Sequence, residues 1–145
     1  MFRRILVPLD ATERDAHILE QVATLAQAGG EIVLLRVACY DARERDQMQR
    51  EITRAEQALR EAKELLATRF ALEAEEALLH GDPAEVIASE CESRKCDLIA
   101  MATHGHGALY DFLLGSVANE VRHRVSVPVM TLRVALPKRK GRAQE

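Results

Sequence analysis

A chain of 145 residues with 48% hydrophobic and 30% charged side chains fits one ordinary domain, and a chain of that length buries roughly two thirds of its unfolded surface without a partner domain. Of its 20 basic and 23 acidic side chains, residues 135 to 145 hold four and one, leaving 16 against 22 in the remainder. Such an acidic body disfavours a general nucleic-acid surface, which needs Lys and Arg to neutralise phosphates. The first apolar run is stopped by Pro8 and Asp10, too early for a signal-peptide core. No run approaches a bilayer span, and Cys39, Cys91 and Cys96 have neither metal spacing nor the even count of a disulfide framework. The expectation is a cytoplasmic protein with reduced, mostly buried thiols and neither a membrane nor a nucleic-acid partner.

Runs rich in Val, Ile and Leu alternate with segments of helical period, the pattern of a parallel sheet wrapped by helices. Ile5 to Leu9 reads as the first strand. Thr12, with Asp15 three residues on, predicts a capped first helix burying Ile18, Val22 and Leu25 and running toward Gly29-Gly30, a pair suited to a helix carboxyl end. Glu31 to Val37 is the second strand. A long second helix over Arg45 to Phe70 follows from Ile52, Ala55, Leu59, Ala62 and Leu66 at steps of three and four.

Ala71 to Leu79 is the third strand, given an edge character by Glu73, Glu75 and Glu76. Asp82-Pro83 with Glu85 starts a third helix, with a capping carboxylate, proline in the first turn and an acid near the positive dipole end. Leu98 to Thr103 is the fourth strand and Val127 to Val134 the fifth, separated by a fourth helix predicted to begin near Ser116 and to bury Val117 and Val121. The fold class expected is α/β: a five-stranded parallel open sheet, Rossmann-like and doubly wound, with helices on both faces. Such sheets bind ligands at the carboxyl ends of their strands, where the winding reverses.

The candidate site lies between the fourth strand and the fourth helix. An apolar strand ends at Ala102-Thr-His-Gly105, then His106-Gly107 follows, and Gly115-Ser116 reads as a helix start. Unpartnered backbone N–H groups at a helix start, with the helix dipole, favour an anion. A Ser116 hydroxyl serving as N-cap would already sit where that anion arrives.

A small residue at Ala102, two residues, Gly105, nine residues and then Gly115-Ser116 resembles the nucleotide-binding signature of the universal stress protein family. Ile5-Leu-Val-Pro-Leu-Asp10, His80-Gly-Asp-Pro83 and Val127-Pro-Val-Met130 stand in family order, so the resemblance spans nearly the whole chain. It implies residues 1 to 136 as one universal stress protein domain, with residues 137 to 145 as a basic, disordered tail. It also implies ATP, with Mg2+, as cofactor. Pro8 and Asp10 would border the adenosine, with the Asp10 carboxylate accepting from ribose or the adenine amino group. Val37 would offer an adenine wall, and Gly105, Gly115 and Ser116 would cradle the phosphates. Ala102 and Val117 complete the expected cofactor-binding set. Ala102 departs from the family glycine. His106 stands where members carry Arg or Lys, and an imidazole protonated beside phosphate would supply part of that charge.

Other phosphate and catalytic signatures are missing. Gly115-Ser116-Val117 has no P-loop lysine, a dinucleotide fingerprint needs glycine where Tyr110 stands, and no Gly-x-Ser-x-Gly elbow occurs. No pair of groups offers a base for water, so the reading is a binding protein with at most slow ATP hydrolysis. As expected from the resemblance, it is a nucleotide-dependent stress-response regulator, a homodimer through the fifth strand, acting on a protein partner. The alternative is a nucleotide-free interaction module in which the same loop is structural.

Overall fold

The computed structural model describes residues 1–104 and 108–134. Strands β1 (Phe2–Pro8), β2 (Ala26–Ala38), β3 (Glu73–His80), β4 (Leu98–His104) and β5 (Val129–Val134) form one sheet of five in the order β3-β2-β1-β4-β5. Every neighbouring pair is parallel. Parallel neighbours need crossovers, supplied by α1 (Arg14–Ala23), α2 (Arg45–Phe70), α3 (Pro83–Ser93) and α4 (Ala108–Arg124). This is the expected α/β architecture.

Strand side chains alternate between the two faces. Ile5 and Val7 of β1 join Ile18, Leu19 and Val22 of α1 and Leu59, Ala62 and Leu66 of α2 on one face. Leu6 joins Ile87 and Cys91 of α3 and Ala118 and Val121 of α4 on the other. With both faces covered, a central strand must be apolar throughout, and Ile5, Leu6 and Val7 are fully buried. The chain steps outward from β1 through β2 to β3, then returns to the far side of β1 for β4. The crevice of such a sheet therefore opens at the carboxyl ends of β1 and β4.

Several expectations hold closely. Helix α2 spans Arg45–Phe70, burying Ala55, Leu59, Ala62 and Leu66. Asp82 caps α3 by accepting from the Glu85 N–H at 3.1 Å, with Pro83 in the first turn. Strand β3 is an edge strand with Glu73 and Glu76 exposed. Cys91 and Cys96 are buried, whereas Cys39 is exposed. Among the described residues no helix is long and apolar enough to cross a membrane.

Three expectations are corrected. Helix α1 stops at Ala23, and Gly29-Gly30 belong to β2. The register jumps there, from Phe2 beside Ala26 to Arg4 beside Glu31. Gly29 takes φ +77°, and a Cβ on Gly30 would lie 2.9 Å from the Gln27 carbonyl oxygen, so the glycines build a strand irregularity in place of a helix cap. Thr12 does not cap α1 in the expected way either. Ala11 adopts φ 62°, and the Asp15 carboxylate reaches back to the N–H groups of Asp10 and Ala11 at 3.1 and 3.0 Å. The Thr12 hydroxyl accepts from Arg14 N–H at 3.2 Å.

The third correction concerns α4, which begins at Ala108 and not near Ser116. Glycine inside a helix costs only about 1 kcal/mol relative to alanine, too little for Gly115 to interrupt it. The basic tail, residues 137 to 145, lies outside the described residues.

Candidate functional site

The carboxyl ends of β1, β2 and β4 meet the starts of α1 and α3 around a cavity of about 180 Å³ lined by Pro8, Asp10, Asp15, Arg36, Val37 and Ala102, among others. Val117 of α4 also lines it. Five residues proposed from the sequence, Pro8, Asp10, Val37, Ala102 and Val117, are thus brought together although up to 109 positions separate them in the chain. Pro8 arrives as the last residue of β1, where its missing N–H is harmless at a strand end. Ala102 sits in regular β4 opposite Leu132 and is not among the residues with positive φ. The departure from the family glycine therefore adds a methyl group to the cavity wall without backbone strain.

Other proposed residues are placed differently. Gly115 is interior to α4, where its N–H is used within the helix. Ser116 is exposed on the same helix, so its expected N-cap role is overturned. The free N–H groups of α4 belong to its first turn, from Ala108. Gly105 and His106 lie outside the described residues.

Asp10 is at the expected strand end, but its carboxylate is already engaged. Its oxygens accept from the Thr12 N–H at 3.0 Å and from the Thr12 hydroxyl. Arg14 Nε donates to it at 3.3 Å. Burial works against the Asp10 charge, yet hydrogen bonds with Thr12 and Asp15 and the Arg14 guanidinium hold its pKa below the ordinary carboxylate value. Asp15 goes the other way. Burial first, then the neighbouring Asp10 charge, push it up to about 7. The site thus holds a carboxylate pair with one proton near neutrality.

Sequence reasoning missed Arg36, and gave Asp15 only a capping role. The signal for Arg36 was present: a charge inside the run Ile32-Val-Leu-Leu-Arg-Val37 is unusual for a strand buried on both faces. Its guanidinium donates through Nη1 to the Leu9 carbonyl at 3.3 Å and through Nη2 to Glu51 Oε1 at 2.9 Å. Its Nε is buried and has no partner among the described residues. Among the described residues no group of three His, Cys, Asp or Glu side chains is arranged to hold a metal.

Residues 1–133 match the family model for the universal stress protein family. The chain belongs to that family. Among curated relatives, a universal stress protein of Thermus aquaticus, from the QAH/OAS sulfhydrylase 3′ region, is 30% identical over 140 residues, covering 92% of this chain and all of the relative. Among solved structures, the hypothetical protein MJ0577 superposes with a TM-score of 0.75 at 26% identity, covering 92% of this chain and 97% of its own. The universal stress protein from Archaeoglobus fulgidus in complex with dAMP superposes with a TM-score of 0.69 at 22% identity over 88% of this chain and 95% of its own. The five-stranded universal stress protein fold therefore accounts for the described residues, with the cavity at its winding reversal.

Proposed function

We propose that this universal stress protein binds an adenine nucleotide, ATP with Mg2+, in the cavity between β1, β2 and β4, and that the bound state alters its affinity for a protein partner. The observation that carries the reading is the convergence of Pro8, Asp10, Val37, Ala102 and Val117 on one cavity. A similar structure holding dAMP supports an adenine-type ligand. At about 30 Å³ per water, 180 Å³ is room for roughly six waters, enough for a fused ring between Val37, Met101 and Val117. Sugar and phosphates would extend outward toward the amino end of α4. The described residues supply no ligand set for Mg2+, so the cation would travel on the phosphates. Binding would act by favouring one of two states, which requires different affinities for them.

The reading is tested by calorimetric titration of ATP with magnesium into the wild type and Ala102→Leu. The leucine adds three carbons to the cavity wall and is expected to weaken binding at least tenfold while the far-ultraviolet circular dichroism stays unchanged. Equal affinity in the two proteins would place the nucleotide elsewhere. A nucleotide-free interaction module is favoured by one observation, the Asp10 carboxylate already satisfied by Thr12 and Arg14. It predicts no heat in either titration.

The proposed assembly is a homodimer through β5. That strand is the second edge of the sheet, and an uncovered apolar edge invites pairing with another chain. Val129→Glu is expected to convert dimer to monomer by light scattering, and an unchanged mass would exclude this edge as the interface.

A further inference from the structure

Asp15 stands in the cavity wall together with Asp10, and it holds the turn that carries Asp10. Its Oδ1 accepts from the Asp10 N–H at 3.1 Å and its Oδ2 from the Ala11 N–H at 3.0 Å. Those two bonds hold the turn at the carboxyl end of β1, where Ala11 takes φ 62°, uncommon for a residue with a side chain. An ionised carboxylate is the strongest acceptor for such N–H groups, but burial and the neighbouring Asp10 charge oppose ionisation here. The clamp on the turn is thus a group whose charge is unfavourable where it stands.

Among the described residues, the other titratable and charged groups around the pair come from several elements. Arg14 of α1 donates to Asp10 at 3.3 Å. Arg36 of β2 and Cys39, just beyond β2, line the same cavity, and Arg36 pairs with Glu51 of α2 at 2.9 Å. Glu13 and Glu61 line the groove between α1 and α2, of which Asp15 is also a wall. The wall residues of α3, β4 and α4, namely Pro83, Ile87, Met101, Ala102 and Val117, do not titrate.

We propose that Asp15 is a positioning residue of the nucleotide site, clamping the turn that carries Asp10, and that the Asp10–Asp15 pair takes up a proton when nucleotide covers it. The inference rests on the reading of this cavity as the nucleotide site and adds how that site responds to pH. A ligand in the cavity displaces water that screens the two carboxylates, and ATP brings further negative charge, so the doubly ionised pair becomes less favourable. Protonated Asp15 keeps acceptor capacity for the two N–H groups, and its O–H can be donated to the Asp10 carboxylate, the side chain to which it is hydrogen-bonded. The coupling is reciprocal: a nucleotide that favours the proton is itself favoured by the proton, to the same extent.

The test is calorimetric titration of ATP with magnesium at pH 6 and pH 8, each in two buffers of different ionisation enthalpy, on the wild type, Asp15→Asn and His106→Ala. Titration of the nucleotide is common to all three proteins and cancels in the ratio of their affinities. The wild-type affinity relative to Asp15→Asn is expected to fall roughly three- to tenfold from pH 6 to pH 8. The wild type should also take up more proton per nucleotide than Asp15→Asn, and His106→Ala should keep both behaviours. If Asp15→Asn does not fold by circular dichroism, carboxyl-carbon nuclear magnetic resonance on the wild type replaces it. The Asp15 titration, near pH 7 in the free protein, should then move upward when ATP is added.

An affinity ratio that is the same at both pH values means a purely structural clamp and overturns the inference. An excess proton uptake that disappears in His106→Ala, or an Asp15 titration that ATP does not move, overturns it as well. Those outcomes leave the nucleotide reading standing. A wild type that binds no ATP at either pH overturns both.

Discussion

The two ends of the sheet use charge in opposite ways. At the amino end, Asp97 accepts the backbone N–H groups of Arg3 and Arg4, both at 2.9 Å. Arg4 pairs with Glu31 at 2.8 Å, and Arg94 with Glu75 and Glu90 at 2.7 and 2.8 Å. The network joins β1, β2, β3, α3 and the approach to β4. Each ion pair is partly exposed and contributes about 0–1 kcal/mol, so its main effect is to hold register. At the carboxyl end, Asp15 is a carboxyl with its pKa driven up to about 7, and among the described residues Arg36 Nε has no partner. Stability alone would not favour that arrangement. Local rules broken together at the crevice of the fold support the site proposed there, and the satisfied end serves as scaffold.

The comparison is broken most severely at the amino end by Gly30→Ala. Its new Cβ would lie 2.9 Å from the Gln27 carbonyl oxygen and 3.3 Å from those of Arg3 and Phe2, all backbone atoms with little freedom to yield. A loss of roughly 2–3 kcal/mol is expected in urea denaturation, with ATP affinity of the folded protein unchanged.

Asp15→Asn should act in the opposite direction, and only in part of the pH range. Folded Asp15 keeps its proton to about pH 7, whereas an unfolded aspartate loses it near pH 4. Between these values the folded state binds more protons, so stability falls as pH rises from about 4 to 7 and stays lower above. Asp10, held low, offsets this only around and below its unfolded pKa. Relative to the wild type, the variant should therefore gain roughly 1–3 kcal/mol between pH 4 and pH 8, against a pH-independent loss because Asn keeps one acceptor oxygen where Asp15 uses two. A constant difference across denaturation curves from pH 4 to pH 8 would contradict the raised pKa.

The smallest effect is expected from Glu31→Gln, which removes the charge of one half-buried partner of Arg4. Its melting curve should match the wild type within about 0.5 kcal/mol. A large loss would mean that the amino-end network stabilises by energy as well as by register.

What the sequence made legible follows the reach of each interaction. A stripe of five apolar positions located α2, and the Asp82-Pro83 cap located the start of α3, because both signals are local. Gly29-Gly30 was ambiguous, since a glycine pair suits a helix end and a strand irregularity equally. Only the approach of Gly30 to the carbonyls of Phe2 and Arg3 decides between them. Gly115-Ser116 misled because a helix breaker worth about 1 kcal/mol yields to the helix on either side of it. The cavity itself was half legible. The family resemblance reached Pro8, Asp10, Val37, Ala102 and Val117, but Arg36 acquires meaning only through Leu9 and Glu51, contacts set by packing.

The central claim, that the unsatisfied end of the sheet is a nucleotide site, is tested most directly by denaturing freshly purified protein and identifying what it releases by chromatography and mass spectrometry. ATP or ADP approaching one per chain is the predicted result. Protein that releases nothing, and then takes up no added ATP with magnesium, would contradict it.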